Sequence, residues 1–202
     1  MRKRNLVALA VSAAALFLVF IAANQPASRA ATPTRAVAPA APQTTREVIF
    51  GNLKPYTGKS SSFTISFPGN WTIKDNSTAD EVILIVSDPT ENGIVVVRSR
   101  ALKEKSDDLG SRLKTFIHDS MSTLDNFSMG DPVSQPGGTF NLVFHYNQIM
   151  DNQNVRMYGE GFIQQHNGLL GIIVFFLPHE QYSAKSKSVY QITDSFHVTG
   201  KK

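Results

Sequence analysis

Cysteine is absent from the 202-residue chain. Disulfides, thiolate metal centres, a thiol nucleophile and a lipid-modified cysteine behind an export signal are therefore excluded. Acidic residues are missing from the leading segment. All 16 follow Arg46, whereas Arg2, Lys3, Arg4, Arg29 and Arg35 precede it. The formal charge of +4 thus belongs to the leader, because from Arg46 onward 15 basic residues face 16 acidic ones. A net of −1 provides no electrostatic footprint for nucleic acid, so no nucleic-acid partner is expected. Recognisable catalytic words are lacking too. Gly137-Gly138 has no lysine or flanking pattern of a phosphate loop, and Ser66, Ser99 and Ser195 have no nucleophile-elbow surroundings. No catalytic residue is assigned, and an enzyme is not expected.

What is present begins with an address. Three basic residues within the first five are followed by residues 6–23, which carry no charge and only one polar side chain, Ser12. Positive charge stays on the cytoplasmic side while the apolar run enters the bilayer, so the remainder is translocated. Ser28-Arg29-Ala30 offers small residues for signal peptidase, with cleavage before Ala31. Alternatively the run stays as an anchor, since its length approaches the roughly 20 residues that span the hydrocarbon core. Residues 1–30 are accordingly a signal peptide or membrane anchor. Residues 31–45 form an Ala/Pro/Thr-rich linker with too few large apolar groups to offset the entropy of ordering it. One domain then spans 46–202, exported to the side of the membrane away from the cytoplasm.

Inside the domain, residues 63–67 alternate apolar and polar before Pro68-Gly69, predicting a half-buried strand. Residues 81–88 and 93–102 form a predicted hairpin whose central portions are apolar throughout, so both faces must be covered. Leu109, Leu113, Phe116, Ile117, Met121 and Leu124 fall on one helical stripe, with Ser106-Asp107-Asp108 as cap. A weaker strand at 127–134 is interrupted by Pro132. A three-strand meander follows at 139–150, 155–165 and 169–177, its last strand unbroken apolar sequence that belongs in mid-sheet. Pro178 opens a second helix, with Tyr182, Val189, Tyr190, Thr193 and Phe196 predicted as its buried stripe. Strands burying both faces between two amphipathic helices give an α+β protein, an α/β/α sandwich with a central antiparallel-rich sheet.

If Met150 pairs with Val155 across residues 151–154, His145 lies opposite Glu160. Such a pair is either a surface His–carboxylate contact or two ligands for a divalent ion such as calcium, zinc or manganese. His166 and His179 join only if the sheet twist brings them in. Val143, Asn147, Tyr158, Phe162 and Gln164 share that face, whereas Leu142, Phe144, Tyr146, Met157 and Ile163 take the other. Gly159 and Gly161 make room there for large neighbours or a close helix. Tyr158 and Trp71 are further candidates for ligand or partner contact, the bland alternative for Trp71 being a core plug at one end of the sheet.

The words Phe63-Thr64-Ile65-Ser66-Phe67-Pro68-Gly69-Asn70-Trp71, Gly171-Ile172-Ile173-Val174 and Asp194-Ser195-Phe196, in this order of elements, make residues 56–198 resemble the PsbP family. These are the extrinsic proteins of photosystem II and their bacterial relatives. The resemblance implies a non-enzymatic accessory protein, expected as a monomer, on the lumenal or periplasmic face of a membrane, with a membrane protein complex such as photosystem II as partner. The missing lipobox cysteine departs from the usual bacterial member. The rival expectation is a periplasmic binding domain for a small apolar molecule or a metal ion.

Overall fold

The computed structural model describes residues 45–56, 62–102 and 108–199. The signal or anchor, the linker through residue 44, and Ser106 and Asp107 of the expected cap lie outside the described residues.

The hairpin and meander assemble one antiparallel sheet. Its strands are β4 (Thr72–Asp75), β5 (Glu81–Ser87), β6 (Ile94–Ala101), β7 (Ser128–Met129), β8 (Val133–Gln135), β9 (Thr139–Met150), β10 (Gln153–His166) and β11 (Leu169–Pro178). The order is β4-β5-β6-β11-β10-β9-β7, with β8 also pairing β9. The unbroken apolar run of β11 therefore lies at the centre, and all ten of its residues are buried. Helix α1 (Leu109–Met121) starts where the Asp108 carboxylate accepts the Ser111 amide at 2.9 Å, satisfying one of the amides that no preceding turn can reach. Leu113, Ile117 and Met121 on its buried stripe each contribute about 1.5–3 kcal/mol by leaving water. They pack with Phe144, Leu142, Met157, Ile163, Val174 and Phe176 on one face of the sheet.

Helix α2 (His179–Asp194) covers the opposite face, where Val189 and Ile192 meet Ile173, Phe175 and Leu177. The α/β/α sandwich expected from the sequence is present. One stripe assignment changes: Tyr190 is 41% exposed, and Ile192 is buried in its stead. A helix turns about 100° per residue, so the residue after the fully buried Val189 sits at the edge of the stripe.

The predicted strand at 63–67 is split, and neither half joins the main sheet. β2 (Phe63–Thr64) pairs with β12 (His197–Val198), whereas β3 (Ser66–Pro68) pairs with β1 (Leu53–Pro55). Alternation still governs burial, since Phe63, Ile65 and Phe67 are each at most 5% exposed and complete the cover beside α2. The weak strand at 127–134 is likewise two short pieces, β7 and β8, on either side of Pro132, which cannot donate to a ladder. At the start of the domain, the buried Asp88 carboxylate accepts amides from Ile49, Thr90, Asn92 and Gly93. Gln181 of α2 accepts the Val48 amide and donates to the Arg46 carbonyl. The chain thus enters the domain fastened to the N-terminal turn of α2.

Candidate polar site beneath the second helix

The turn between β9 and β10 decides which side chains meet. Asp151 and Asn152 both have positive φ, 49° and 64°, and form a two-residue hairpin turn in place of the four-residue turn expected. Pairing therefore shifts by two residues: Met150 faces Gln153, His145 faces Tyr158, and Glu160 faces Val143. The expected His145–Glu160 pair does not form. Side chains alternate with period two, so the slip leaves every residue on its predicted face. Gly159 consequently lies opposite Phe144, whose ring occupies the space that a Cβ at Gly159 would need, 2.2 Å away.

Tyr158 and Glu160 stand two apart on β10 and both turn toward α2. Glu160 is 1% exposed. Its Oε1 accepts Asn141 Nδ2 at 2.9 Å and its Oε2 accepts the Tyr158 hydroxyl at 2.9 Å. Gln135 in turn donates to Asn141 Oδ1 at 3.1 Å, which fixes the asparagine amide the right way round. Burial pushes the Glu160 carboxyl above its usual range, while the donors Tyr158, Asn141 and Tyr182 pull it back. Burial also raises the Tyr158 phenol, assisted by Tyr182 and by the nearby carboxylate. Tyr182 lies face to face with Tyr158, centroids 3.7 Å apart at 19°, and its hydroxyl is 2.9 Å from that of Tyr190.

The histidine that the new register brings beside Tyr158 meets a second one. The His145 ring is 5.6 Å from Tyr158 and 5.1 Å from His179, the first residue of α2, edge to face in both cases. Burial, then the positive potential of Arg156 and His179, lowers the affinity of His145 for a proton. Its Nδ1 is buried and makes no hydrogen bond among the described residues. His166 stays at the far end of β10, opposite Leu169. Among the described residues no three His, Asp or Glu side chains gather in a metal-binding arrangement. Trp71 lies elsewhere, 7% exposed, with its indole donating to the Ile49 carbonyl at 2.8 Å and its ring against Phe50 and Phe175.

Sequence reasoning thus found Tyr158, Glu160 and His145 on one face but paired them wrongly. It missed Asn141, whose role depends on a neighbour nineteen residues away, and placed Tyr182 and Tyr190 in the core without seeing their hydroxyls meet. Chemically, the arrangement is a buried carboxylate ringed by phenols and an amide. It can hold or accept a proton, but Glu160 and Tyr158 present almost no surface to a dissolved substrate.

No protein-family profile and no curated protein sequence matches the chain. Solved structures do. The fold is similar to that of cyanobacterial PsbP (CyanoP) from Synechocystis, with a TM-score of 0.56 and 13% identity over 78% of this chain and 99% of that one. The Ran-binding protein Mog1p of Saccharomyces cerevisiae aligns at a TM-score of 0.49 and 9% identity, covering 73% of this chain and 96% of its own. LpqN, involved in cell envelope biogenesis of Mycobacterium tuberculosis, aligns at 0.44 and 9%, covering 73% and 91%. At such identities the likeness is one of fold.

Proposed function

We propose that this chain is an exported, non-catalytic accessory protein of PsbP-like fold that binds, or helps to assemble, a membrane-bound protein complex. The observation that carries the reading is the fold, whose likeness to cyanobacterial PsbP extends over 99% of that chain. The site agrees with it, because the carboxylate that would serve as an acid or base is bonded to Tyr158 and Asn141 and is 1% exposed. Photosystem II is the first complex to test if the source organism is photosynthetic. The leading basic and apolar segment supports delivery across a membrane, either released or anchored by residues 6–23. Affinity capture of the tagged full chain from detergent-solubilised membranes of the source organism tests the reading. A defined membrane complex enriched over an untagged control is expected, and recovery of no membrane protein above background would sink it.

One observation favours a second reading, a binding domain for a divalent ion or small ligand. Nδ1 of His145 is buried with no hydrogen-bond partner among the described residues, and its ring lies beside that of His179. Elemental analysis of protein purified without chelators decides that point. Calcium, zinc or manganese near one equivalent, lost in His145→Ala, supports the ion-binding reading; metal-free protein ends that reading.

A further inference from the structure

Residues 45–50 belong to no helix or strand. Among the described residues, no backbone group of residues 46–49 bonds to another backbone. Side chains from elsewhere in the fold hold that stretch instead. The Arg46 carbonyl accepts Asn92 Nδ2 at 2.7 Å and Gln181 Nε2 at 3.0 Å. The Val48 amide donates to Gln181 Oε1 at 2.8 Å, and the Ile49 amide to Asp88 Oδ2 at 3.1 Å. The Ile49 carbonyl accepts Trp71 Nε1 at 2.8 Å and Asn70 Nδ2 at 3.2 Å. All six bonds end on main-chain atoms of the stretch, which every residue except proline offers alike. Only one side chain of the four is buried. Val48 is 0% exposed, whereas Arg46 and Glu47 face solvent and Ile49 is 49% exposed. Gly93 makes the room for Val48, since a Cβ there would lie 2.5 Å from Val48 Cγ1 and 3.2 Å from the Trp71 ring. Ion pairs from Arg46 to Asp151 and from Glu47 to Lys185 are made by exposed side chains of the stretch and add little. In peptide-binding grooves, main-chain hydrogen bonds supply affinity and a pocket for a side chain supplies selectivity. The same division is built here within one chain.

We propose that the cleft formed by Asn70, Trp71, Asp88, Asn92, Gly93 and Gln181 is a peptide-binding groove occupied in cis by residues 46–49. In exchange it takes a partner protein's segment that carries one branched aliphatic residue between solvent-facing ones. The chemistry of that occupant is read from the resident segment, whose main chain is bonded at Arg46, Val48 and Ile49 and whose one buried side chain is a valine. A segment joined to the domain competes at an effective concentration on the order of millimolar. The groove is therefore closed to weak partners until the resident segment is released. The inference goes beyond the accessory reading, because it concerns how the domain holds a peptide and not which complex it serves.

Trp71 is the only tryptophan of the chain and bonds the resident segment, so its fluorescence in the full chain reports on the groove. Val48→Gly should release the segment and shift the emission to the red. A blocked peptide copying residues 45–50 should then restore the wild-type spectrum saturably, whereas the same peptide with Asp in place of the valine should not. Gly93→Ala, whose added methyl takes the room of Val48, should show the red shift and no response to peptide. Ile49→Pro is a second route to release, because it removes the amide that Asp88 accepts and leaves the groove intact. Its spectrum should be restored by peptide as well. A released, folded variant that peptide at about 5 mM, above the effective concentration of the tethered segment, does not restore overturns the proposal. So does equal restoration by the Asp peptide or in Gly93→Ala, or a wild-type spectrum in both release variants without peptide. Failure of both Val48→Gly and Ile49→Pro to fold would make the stretch part of the core and end the idea of exchange. A wild-type dimer that dissociates in Gly93→Ala would give the groove to a second copy of the chain and overturn the assignment to a partner.

Discussion

The two faces of the central sheet are built from the same three long strands and differ in what they bury. Beneath α1, alternate residues of β9, β10 and β11 supply Leu142, Phe144, Met157, Ile163, Val174 and Phe176, and the cluster holds by apolar contact. Beneath α2, the intervening residues supply Ile173 and Phe175 but also Asn141, Tyr158 and Glu160, linked by directed hydrogen bonds. An apolar face depends on volume and is nearly indifferent to pH. A face containing a carboxyl group depends on protonation, because burying its charge is unfavourable unless donors surround it. The difference teaches where each face will yield.

Removing volume from the α1 face has the largest expected effect. Phe144 is 0% exposed and touches Phe127, Tyr146 and Phe176 through ring contacts. Phe144→Ala should cost about 3–5 kcal/mol. In urea titrations the loss should be equal at pH 5 and pH 8, since no titrating group is removed; a pH-dependent loss would break the contrast between the faces. Adding volume to the same face is milder. Gly159→Ala places a methyl group where the Phe144 ring now lies. Overpacking of this kind costs about 1–3 kcal/mol. The double variant Gly159→Ala with Phe144→Leu should lose less than the two single changes together. Strict additivity would show that something other than this contact requires the glycine.

How much was legible beforehand follows the same division. Periodicity located α1, the hairpin, the meander and the faces of the β9 and β10 residues assigned from the sequence, because a stripe of period two or 3.6 is a local property of the chain. The pairing register was not local. It turned on whether Asp151 and Asn152 would accept positive φ in a two-residue turn, and a slip of two leaves no trace in the alternation. His145 was therefore assigned to Glu160 when Tyr158 stands there. The fate of residues 63–67 was hidden for a related reason: their apolar side chains required burial, which two small ribbons over the α2 face provide as well as the main sheet. The polar site was half visible. Glu160 and Tyr158 announced themselves by type and spacing, whereas Asn141, Tyr182 and Tyr190 acquire their roles from the fold.

The smallest expected effect isolates the α2 face by pH. Glu160→Gln need not orphan its neighbours. The Gln oxygen can take the Asn141 amide, held in orientation by Gln135, while the Gln amide donates to a Tyr158 hydroxyl that rotates to accept. At low pH, where Glu160 is protonated, the variant should thus stay within about 1 kcal/mol of the wild type. Burial raises the Glu160 carboxyl in the folded protein. As pH rises above the unfolded value of about 4.3, the unfolded chain releases this proton first, and stability is lost until the raised folded value is passed. Gln has no such proton, so the stability difference should move in favour of the variant across that window. His145 works the other way: held below its ordinary range, it withdraws stability as pH falls through about 6.5. Both proteins carry His145, so its effect cancels when one urea-unfolding profile is subtracted from the other. A difference flat from pH 4 to 8 would mean that the donors around Glu160 fully offset its burial, and the α2 face would then be as indifferent to protons as the face beneath α1.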